Sequence, residues 1–594
     1  MKKELEKILQ RVQNPAWYCG GEYNSVVKDP SSVQVRFSFC FPDLYDIGMS
    51  HLGIKILYHI LNQMDGIWCE RVFAPAPDME EQLRRHRMPL YGLESGESIR
   101  TADFVGFTLQ YELCYTNILN MLDLAGIPVL AAERDETMPI VIGGGPCAVN
   151  PEPLADFFDL FNIGDGEYML PELVRLYEDT GKNKKEFLQR AAEMESIYVP
   201  SLHKPGQKIR RRIIQNLDEM PSPDKFVVPN AKTVHDRIML EIMRGCIRGC
   251  RFCQAGMIYR PLRQKTPQRL MEDVKKLCAS TGYDEISLTS LSSSDYCHLE
   301  PLTDLLTEYC TPKGIDIALP SLRIDNFSKE LLDKLQAVRS SGLTFAPEAG
   351  TQRLRDAINK NITEDEIFNT CRIAFEGGCT AVKLYFMIGL PTETDEDILG
   401  IADLAQRIVD YYYQIKPKKG RGVTVTVSLS TFVPKPFTPF QWEPQIPMEE
   451  IHRRQRLLRE HITTRKVVLH WHEGKTSVLE GVFSRGNRQL GQLLKTAWEK
   501  GCKLDAWDEH FRYDTWMEAM KECGLTVEEY AGRRFSPDEE LPWDMIDVGI
   551  SKNFLLREAE LARQSKTSPN CREKCSGCGI TKICGGDECD KAAF

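Results

Sequence analysis

No run of roughly 18 or more consecutive apolar residues occurs in the 594-residue chain, which excludes a hydrophobic membrane-spanning helix. The opening Met1-Lys-Lys-Glu-Leu-Glu-Lys7 lacks the apolar stretch of a secretion signal, so a cytoplasmic location is expected. Positive charge is not in excess: 75 Lys and Arg stand against 85 Asp and Glu, a formal charge of −10. Binding to nucleic acid would therefore need a local basic patch. There is no internal repeat and no low-complexity tract. Cysteine, by contrast, is plentiful. Without a signal, 20 cysteines in a chain this long point to metal or buried thiols, not disulfides. Three fall within Cys246–Cys253 and five within Cys571–Cys589; the scattered remainder are expected in the core.

The length calls for two to four domains. Residues 1–30 read as a helix and loop. From Val33 the pattern is α/β: strand candidates at Val33–Phe39, Asp103–Leu109, Pro139–Ile142 and Asp159–Ile163 alternate with helical spacing at Ile54–Met64 and Tyr115–Ala125. This alternation predicts a doubly wound parallel sheet over 31–200, with ligand loops at its carboxyl edge. Residues 201–232, rich in Lys, Arg and Pro, read as a linker. A second series begins at Arg237 and continues through Glu285–Thr289, Asp316–Leu319, Leu343–Ala346, Ala381–Met387 and Thr424–Leu429. Six βα units over 233–445 predict a full or partial TIM-type barrel. A helical region over 446–564 and a cysteine-rich tail over 565–594 complete the plan.

The first barrel strand runs into Arg244-Gly-Cys-Ile-Arg-Gly-Cys-Arg-Phe-Cys253, a C-x3-C-x2-C loop. Thiolates suit iron–sulfur clusters, and three of them leave a fourth iron without a protein ligand. Gly245 and Gly249 let the backbone wrap closely. The loop resembles the signature of radical S-adenosylmethionine (SAM) enzymes, with Phe252 at the aromatic position. The resemblance implies a [4Fe–4S] cluster on Cys246, Cys250 and Cys253, the amino and carboxylate groups of SAM on the open iron, and reductive cleavage to a 5′-deoxyadenosyl radical. It also implies further SAM contacts. Ser292 and Ser293 stand where the superfamily commonly has Gly-Gly-Glu. Glu348 and Arg353 follow the fourth strand, and the fifth-strand segment Lys383–Glu393, including Met387, matches the part that meets adenine. Segment 427–442 looks like the sixth strand of methylthiotransferases and of cobalamin-linked radical-SAM proteins.

A parallel sheet placed before such a barrel resembles the cobalamin-binding domain of the cobalamin-dependent subgroup. Ile142-Gly143-Gly144-Gly145-Pro146-Cys147 and Ile163-Gly-Asp-Gly-Glu167 match its two glycine turns. The Asp-x-His-x-x-Gly motif that supplies an axial histidine is absent, and His51 has the wrong spacing for it. Cobalamin held without a protein histidine, or a domain that has lost it, both remain open. In methylthiotransferases the same domain order carries an auxiliary cluster, for which Cys19, Cys40, Cys69, Cys114 and Cys147 would have to converge.

The tail, Cys571-x3-Cys575-x2-Cys578-x5-Cys584-x4-Cys589, is too short to build an apolar core, so a metal is expected to order it. A second iron–sulfur cluster or zinc on Cys571, Cys575, Cys578 and Cys584, with Cys589 spare, is the expectation. The whole chain resembles a bacterial family that fuses a cobalamin-binding-like domain to a radical-SAM barrel and ends in a similar tail. The leading expectation is a radical-SAM enzyme acting on an unactivated carbon, with a methylcobalamin-dependent methyltransferase as one form. It would draw electrons from flavodoxin or ferredoxin and act on a small molecule, RNA or protein. The alternatives are methylthiotransferase-like sulfur insertion and an RNA-binding protein with a structural cluster. Two further features read mainly as structural: the basic face Arg453–Lys466, with Lys416–Arg421 before it, and His470-Trp-His472.

Overall fold

The computed structural model describes residues 2–319, 323–324, 343–415 and 422–584. A six-stranded sheet forms from β1 (Val35–Phe41), β2 (Ile67–Phe73), β3 (Phe104–Thr108), β4 (Ile140–Gly144), β5 (Leu160–Asn162) and β6 (Ile197–Tyr198). Its order is β2-β1-β3-β4-β5-β6. The first five strands run parallel, and β6 joins antiparallel at the edge. Helix residues Ile118, Leu119 and Leu122 cover one face, and Ile54, Leu61 and Leu173 cover the other. Burial on both faces explains the near-continuous apolar runs of β3 and β4. The chain reverses direction across the sheet between β1 and β3, so the loops there splay apart and open a crevice.

Strand β2 is not among the strands expected from the sequence; Glu70 and Arg71 interrupt its apolar run. Both are buried all the same, at 0% and 2% exposure. Arg71 lies 2.8 Å from Glu22 and 2.6 Å from Glu94, while Arg36 meets Glu70 at 2.6 Å. Pairing makes the buried charges tolerable.

The segment expected as a linker is packed. Its strand β7 (Ile209–Arg210) pairs with Ile546–Asp547, and Ile214, Leu217 and Met220 form a small apolar cluster. Buried Arg211 donates to the carbonyls of Ile258 and Arg260. The basic residues thus fix the first sheet to the second unit.

That unit contains β8 (Ile238–Glu241), β9 (Met243–Arg244), β10 (Arg263–Gln264), β11 (Glu285–Thr289), β12 (Asp316–Ala318), β13 (Leu343–Glu348), β14 (Ala381–Ile388), β15 (Thr424–Thr431) and β16 (Val467–Trp471). Two parallel ladders, β12-β11-β8 and β13-β14-β15-β16, make up the barrel wall among the described residues. The wall runs one strand past the six expected, to β16 beyond residue 445. Strands β9 and β10 form a small antiparallel pair that brackets the cysteine loop. Outside the wall, Leu384 and Phe386 pack under the helix residues Ile401, Leu404 and Ile408. The two-residue period of a strand then turns Lys383, Tyr385 and Met387 into the lumen. Register aligns Tyr385 with Ser428 and His470, so the lumen is polar at that level.

Candidate active site at the barrel mouth

The cysteine loop leaves β9 through Gly245, whose φ is +93°. A Cβ there would meet the carbonyl oxygens of Tyr259 and Pro261 at 2.6 Å, so only glycine fits. Beyond it, the amide of Arg248 donates to Cys246 Sγ (3.4 Å) and that of Gly256 to Cys253 Sγ (3.3 Å). Amides aimed at sulfur favour thiolate. Burial, reinforced by Cys250, pushes the Cys246 thiol up to about 12 and the Cys253 thiol up to about 11. Burial thus outweighs the amides and the nearby Lys360, Arg251 and Arg260, and cluster iron would supply the further positive charge that three thiolates need. Among the described residues no three His, Cys, Asp or Glu side chains gather at single-ion spacing. Cys246 nevertheless senses both Cys250 and Cys253, and the sulfurs around a multi-iron cluster stand wider apart than those around one ion.

Arg251 holds the loop in place. It is fully buried and donates to the Ala357 and Lys566 carbonyls (both 2.8 Å) and to Glu558 (3.1 Å). Asn359 donates to the Gly249 carbonyl at 3.0 Å. Phe252, within the loop, and Met387 pack against the same small apolar cluster, which includes Ala349 and Leu354. Glu348 ends β13 at φ +69° and pairs with Lys360 at 3.1 Å. A left-handed glutamate beside the cysteines is a strained position of the kind found at functional sites.

The other expected SAM contacts are engaged elsewhere. Ser292 donates to Asp295 at 2.7 Å, and Ser293 shares a 2.9 Å hydrogen bond with Ser290. Both are buried inside the loop after β11, where Asp295 also accepts from Arg248 Nε at 2.9 Å. Thr289, Ser290 and Leu291, at the start of this loop, line the cavity between the barrel and the first sheet. Arg353 is drawn away by Asp397 and by the Thr392 carbonyl (2.9 Å). Lys383 Nζ lies 4.7 Å from the Tyr385 ring centroid on the lumen side.

Between the carboxyl edge of the first sheet and the barrel mouth lies a cavity of about 380 Å³. Its walls come from both units: Phe37, Gly106, Asn162 and the turn Gly143-Gly144-Gly145 on one side, and Met243, Tyr259 and Thr289 on the other. The size suits a cofactor or small-molecule site. Gly145 (φ +110°) turns the chain so tightly that a Cβ would meet Leu109 O at 2.9 Å, while Gly144 and Gly166 have no neighbour nearer than 3.6 Å. Side chains at those two positions would stand in the cavity. Asn162 Oδ1 is buried there with no hydrogen-bond partner.

A charge cluster forms the cavity floor. Arg244 contacts Asp165 (3.0 Å), Glu167 (2.8 Å) and Glu241 (2.9 Å), and Arg263 contacts Asp165 at 2.6 Å. Arg263 and Arg244 overcome burial and hold Asp165 well below the usual carboxylate range, whereas burial raises Glu167. Asp165 and Glu167 belong to a segment the sequence analysis treats only as a glycine turn. The signal was their spacing beside Gly164 and Gly166; their partner Arg244, distant in sequence, could not be read.

His51 lines the same cavity and caps the helix Leu52–Asn62, its Nδ1 accepting from the Ile54 amide at 3.2 Å. Burial lowers its imidazole to about 4, so the ring is neutral. The five N-terminal cysteines do not gather at one point: Cys114 and Cys147 are neighbours, but Cys40 and Cys69 lie in the two different cores flanking the sheet and Cys19 is exposed. The basic strip is largely matched, with Arg453 on Asp395 and Glu450, Arg454 on Glu393 and Glu450, and Arg459 over Trp471. Residues 416–421 lie outside the described residues. In the tail, Cys571, Cys575 and Cys578 line a small cavity with Cys246, Cys584 is buried in the main core, and Cys589 lies outside the described residues. No helix of the described residues is long and apolar enough to cross a membrane.

Comparison with known proteins matches this architecture. Residues 53–200 fit the family described as radical SAM proteins, N-terminal, and residues 240–405 fit the radical SAM superfamily. An uncharacterized protein of Methanocaldococcus jannaschii is 31% identical over 380 residues, covering 64% of this chain and 77% of its own. The threonylcarbamoyladenosine tRNA methylthiotransferase of Aquifex aeolicus is 24% identical, covering 52% of this chain and 70% of its own. Among solved structures, the radical S-adenosylmethionine methyltransferase TsrM from Kitasatospora setae, with cobalamin and a [4Fe–4S] cluster bound, aligns with a TM-score of 0.53. Its identity is 14%, over 83% of this chain and 99% of that one. Two matched domains in sequence order, with three thiols at the mouth of the matched barrel, place the function: the chain belongs to the radical SAM superfamily and is an enzyme of that kind.

Proposed function

We propose that this enzyme methylates an unactivated carbon, with SAM at the cysteine loop and cobalamin in the cavity between the sheet and the barrel. The observation that carries the reading is the cavity itself. It joins a glycine-lined sheet edge to the barrel at Met243, Arg244 and Gly245, the residues directly before Cys246, so that a group resting on Gly144 and Gly166 would lie next to the start of the cysteine loop. A [4Fe–4S] cluster supplies the electron that cleaves SAM, and cobalamin, when bound, supplies a methyl carrier. The chain's own residues would do the positioning. Asn162 Oδ1 offers an uncommitted acceptor to an amide-bearing ligand. With Nδ1 of His51 committed to the Ile54 amide and the ring neutral, its proton sits on Nε2. The ring therefore presents a donor, not a lone pair, which favours cobalamin held without a histidine ligand.

The experiment is cobalamin retention by protein produced in supplemented cells, followed by assay for S-adenosylhomocysteine with SAM and a low-potential reductant. The reading expects tight cobalamin at about one per chain and formation of S-adenosylhomocysteine. Protein that binds no cobalamin yet still cleaves SAM would leave a radical enzyme of another reaction class. The auxiliary-cluster reading for the N-terminal domain has no support in the placement of Cys40 and Cys69.

A further inference from the structure

The tail repeats the spacing of the barrel loop: Cys571-x3-Cys575-x2-Cys578 matches Cys246-x3-Cys250-x2-Cys253. The two segments also touch. The Cys571 amide donates to the Ile247 carbonyl at 3.1 Å, and Arg572 donates to the Asp295 carbonyl at 2.5 Å. Cys246, Cys571, Cys575 and Cys578 line one small cavity, and Arg260 forms part of its wall.

Arg260 gives the second, independent indication. It is 3% exposed. Its Nε donates to the Gly256 carbonyl (3.0 Å) and its Nη2 to the Arg248 carbonyl (3.1 Å), while Nη1 has no hydrogen-bond partner. The guanidinium lies 5.5 Å from the Phe554 ring on one side and shares the wall of the small cavity with Cys246, Cys571 and Cys578. A buried guanidinium with an unpartnered N–H on the wall of a cysteine-lined cavity favours a negatively charged, hydrogen-bond-accepting group in that cavity. An iron–sulfur cluster with thiolate ligands carries that charge, and its sulfides accept such hydrogen bonds.

We infer that the tail holds a second iron–sulfur cluster on Cys571, Cys575 and Cys578, docked against the first cluster's loop with Arg260 between them. Three thiolates again leave one iron position. Cys584, buried one helical turn beyond Ile580, is the next thiol along the described chain. Besides ordering a segment too short to fold alone, the cluster clamps Ile247 and Asp295 and so fixes the loop carrying Cys246.

The test uses the full chain, reconstituted anaerobically with iron and sulfide, and reads metal content and electron paramagnetic resonance. Wild type should hold about eight irons and the triple variant Cys571→Ser/Cys575→Ser/Cys578→Ser about four, as expected for two cubanes and one. Because that variant could lose its fold, the reciprocal variant Cys246→Ala/Cys250→Ala/Cys253→Ala is the firmer arm. It should retain about four irons and a reducible cluster signal that does not respond to SAM. Stoichiometric zinc, or no iron, in the reciprocal variant overturns the assignment. The doubly reduced wild type should give a spin-coupled spectrum; a plain sum of the two variants' spectra would overturn the docking.

Discussion

Arg244 Nη1 stands 3.0 Å from Asp165 Oδ1. One residue precedes Gly245 and the first cluster cysteine; the other sits in the second glycine turn of the N-terminal sheet. Glu167 and Glu241 occupy the rest of the guanidinium, and Arg263 takes the far side of Asp165. This charge cluster forms the floor of the cavity and couples the position of the cysteine loop to that of the sheet.

Removing the cation should be costly. Arg244→Ala leaves Glu167 and Glu241 buried without their main partner, and breaking such a pair costs about 3–5 kcal/mol. Equilibrium denaturation of the metal-free chain should show that loss, with Arg244→Lys falling between because it cannot form the fork. A loss within about 0.5 kcal/mol, usual for surface changes, would contradict the coupling.

His51 should make stability depend on pH. Burial lowers its imidazole from the ordinary 6.5 to about 4, so between these values the unfolded chain binds a proton that the folded chain refuses. Stability is full well above 6.5 and falls as pH drops toward about 4, by about 2 kcal/mol between pH 8 and 5. The substitution His51→Asn keeps a capping acceptor without titrating. Melting temperatures of wild type and variant should diverge from pH 7 to pH 5; parallel curves would contradict a neutral buried His51.

Two adjacent glycines should respond in opposite ways. Gly145→Ala strains a positive φ and drives a Cβ against Leu109 O, costing about 1–3 kcal/mol. A Cβ at Gly144 meets nothing nearer than 3.7 Å, so with Gly144→Leu the fold should survive while the cavity fills. Thermal unfolding measures the first. For the second, equilibrium dialysis with hydroxocobalamin should show binding weakened at least tenfold, or about 1.4 kcal/mol; unchanged binding would move the ligand off that turn.

Arg251 should matter for holding the cysteine loop. Arg251→Ala takes the buried cation from Glu558, which keeps only Ser568 and a distant Arg557, and frees the Ala357 and Lys566 carbonyls, with an expected loss of about 3–5 kcal/mol. Iron uptake during reconstitution should fall with it. Full iron loading at unchanged stability would show that the loop holds its shape without the staple.

Much of this was legible in the sequence where chemistry is local. The cysteine loop, Gly245 and the turn Gly143–Gly145 are contiguous motifs whose spacing carries their meaning, and the strands of both units follow from alternation. Strand β2 was not, because Glu70 and Arg71 read as solvent-facing until Glu22, Glu94 and Arg36 close around them. The 201–232 segment misled for the same reason: Arg211 reads as linker charge but is spent on the carbonyls of Ile258 and Arg260. Ser292 and Ser293 stand at matching positions, yet the nearby Asp295 and Ser290 turn them inward. The partners of Glu70, Arg71 and Arg211 lie far along the chain, where residue order does not reveal them, whereas those of Ser292 and Ser293 lie only three residues away.

The central claim concerns the three thiols of the barrel loop. Chain reconstituted with iron and sulfide, then given dithionite and SAM under anaerobic conditions, should yield 5′-deoxyadenosine, and Cys250→Ala should yield none. A wild-type chain with its cluster fully loaded and no SAM cleavage product would contradict the account.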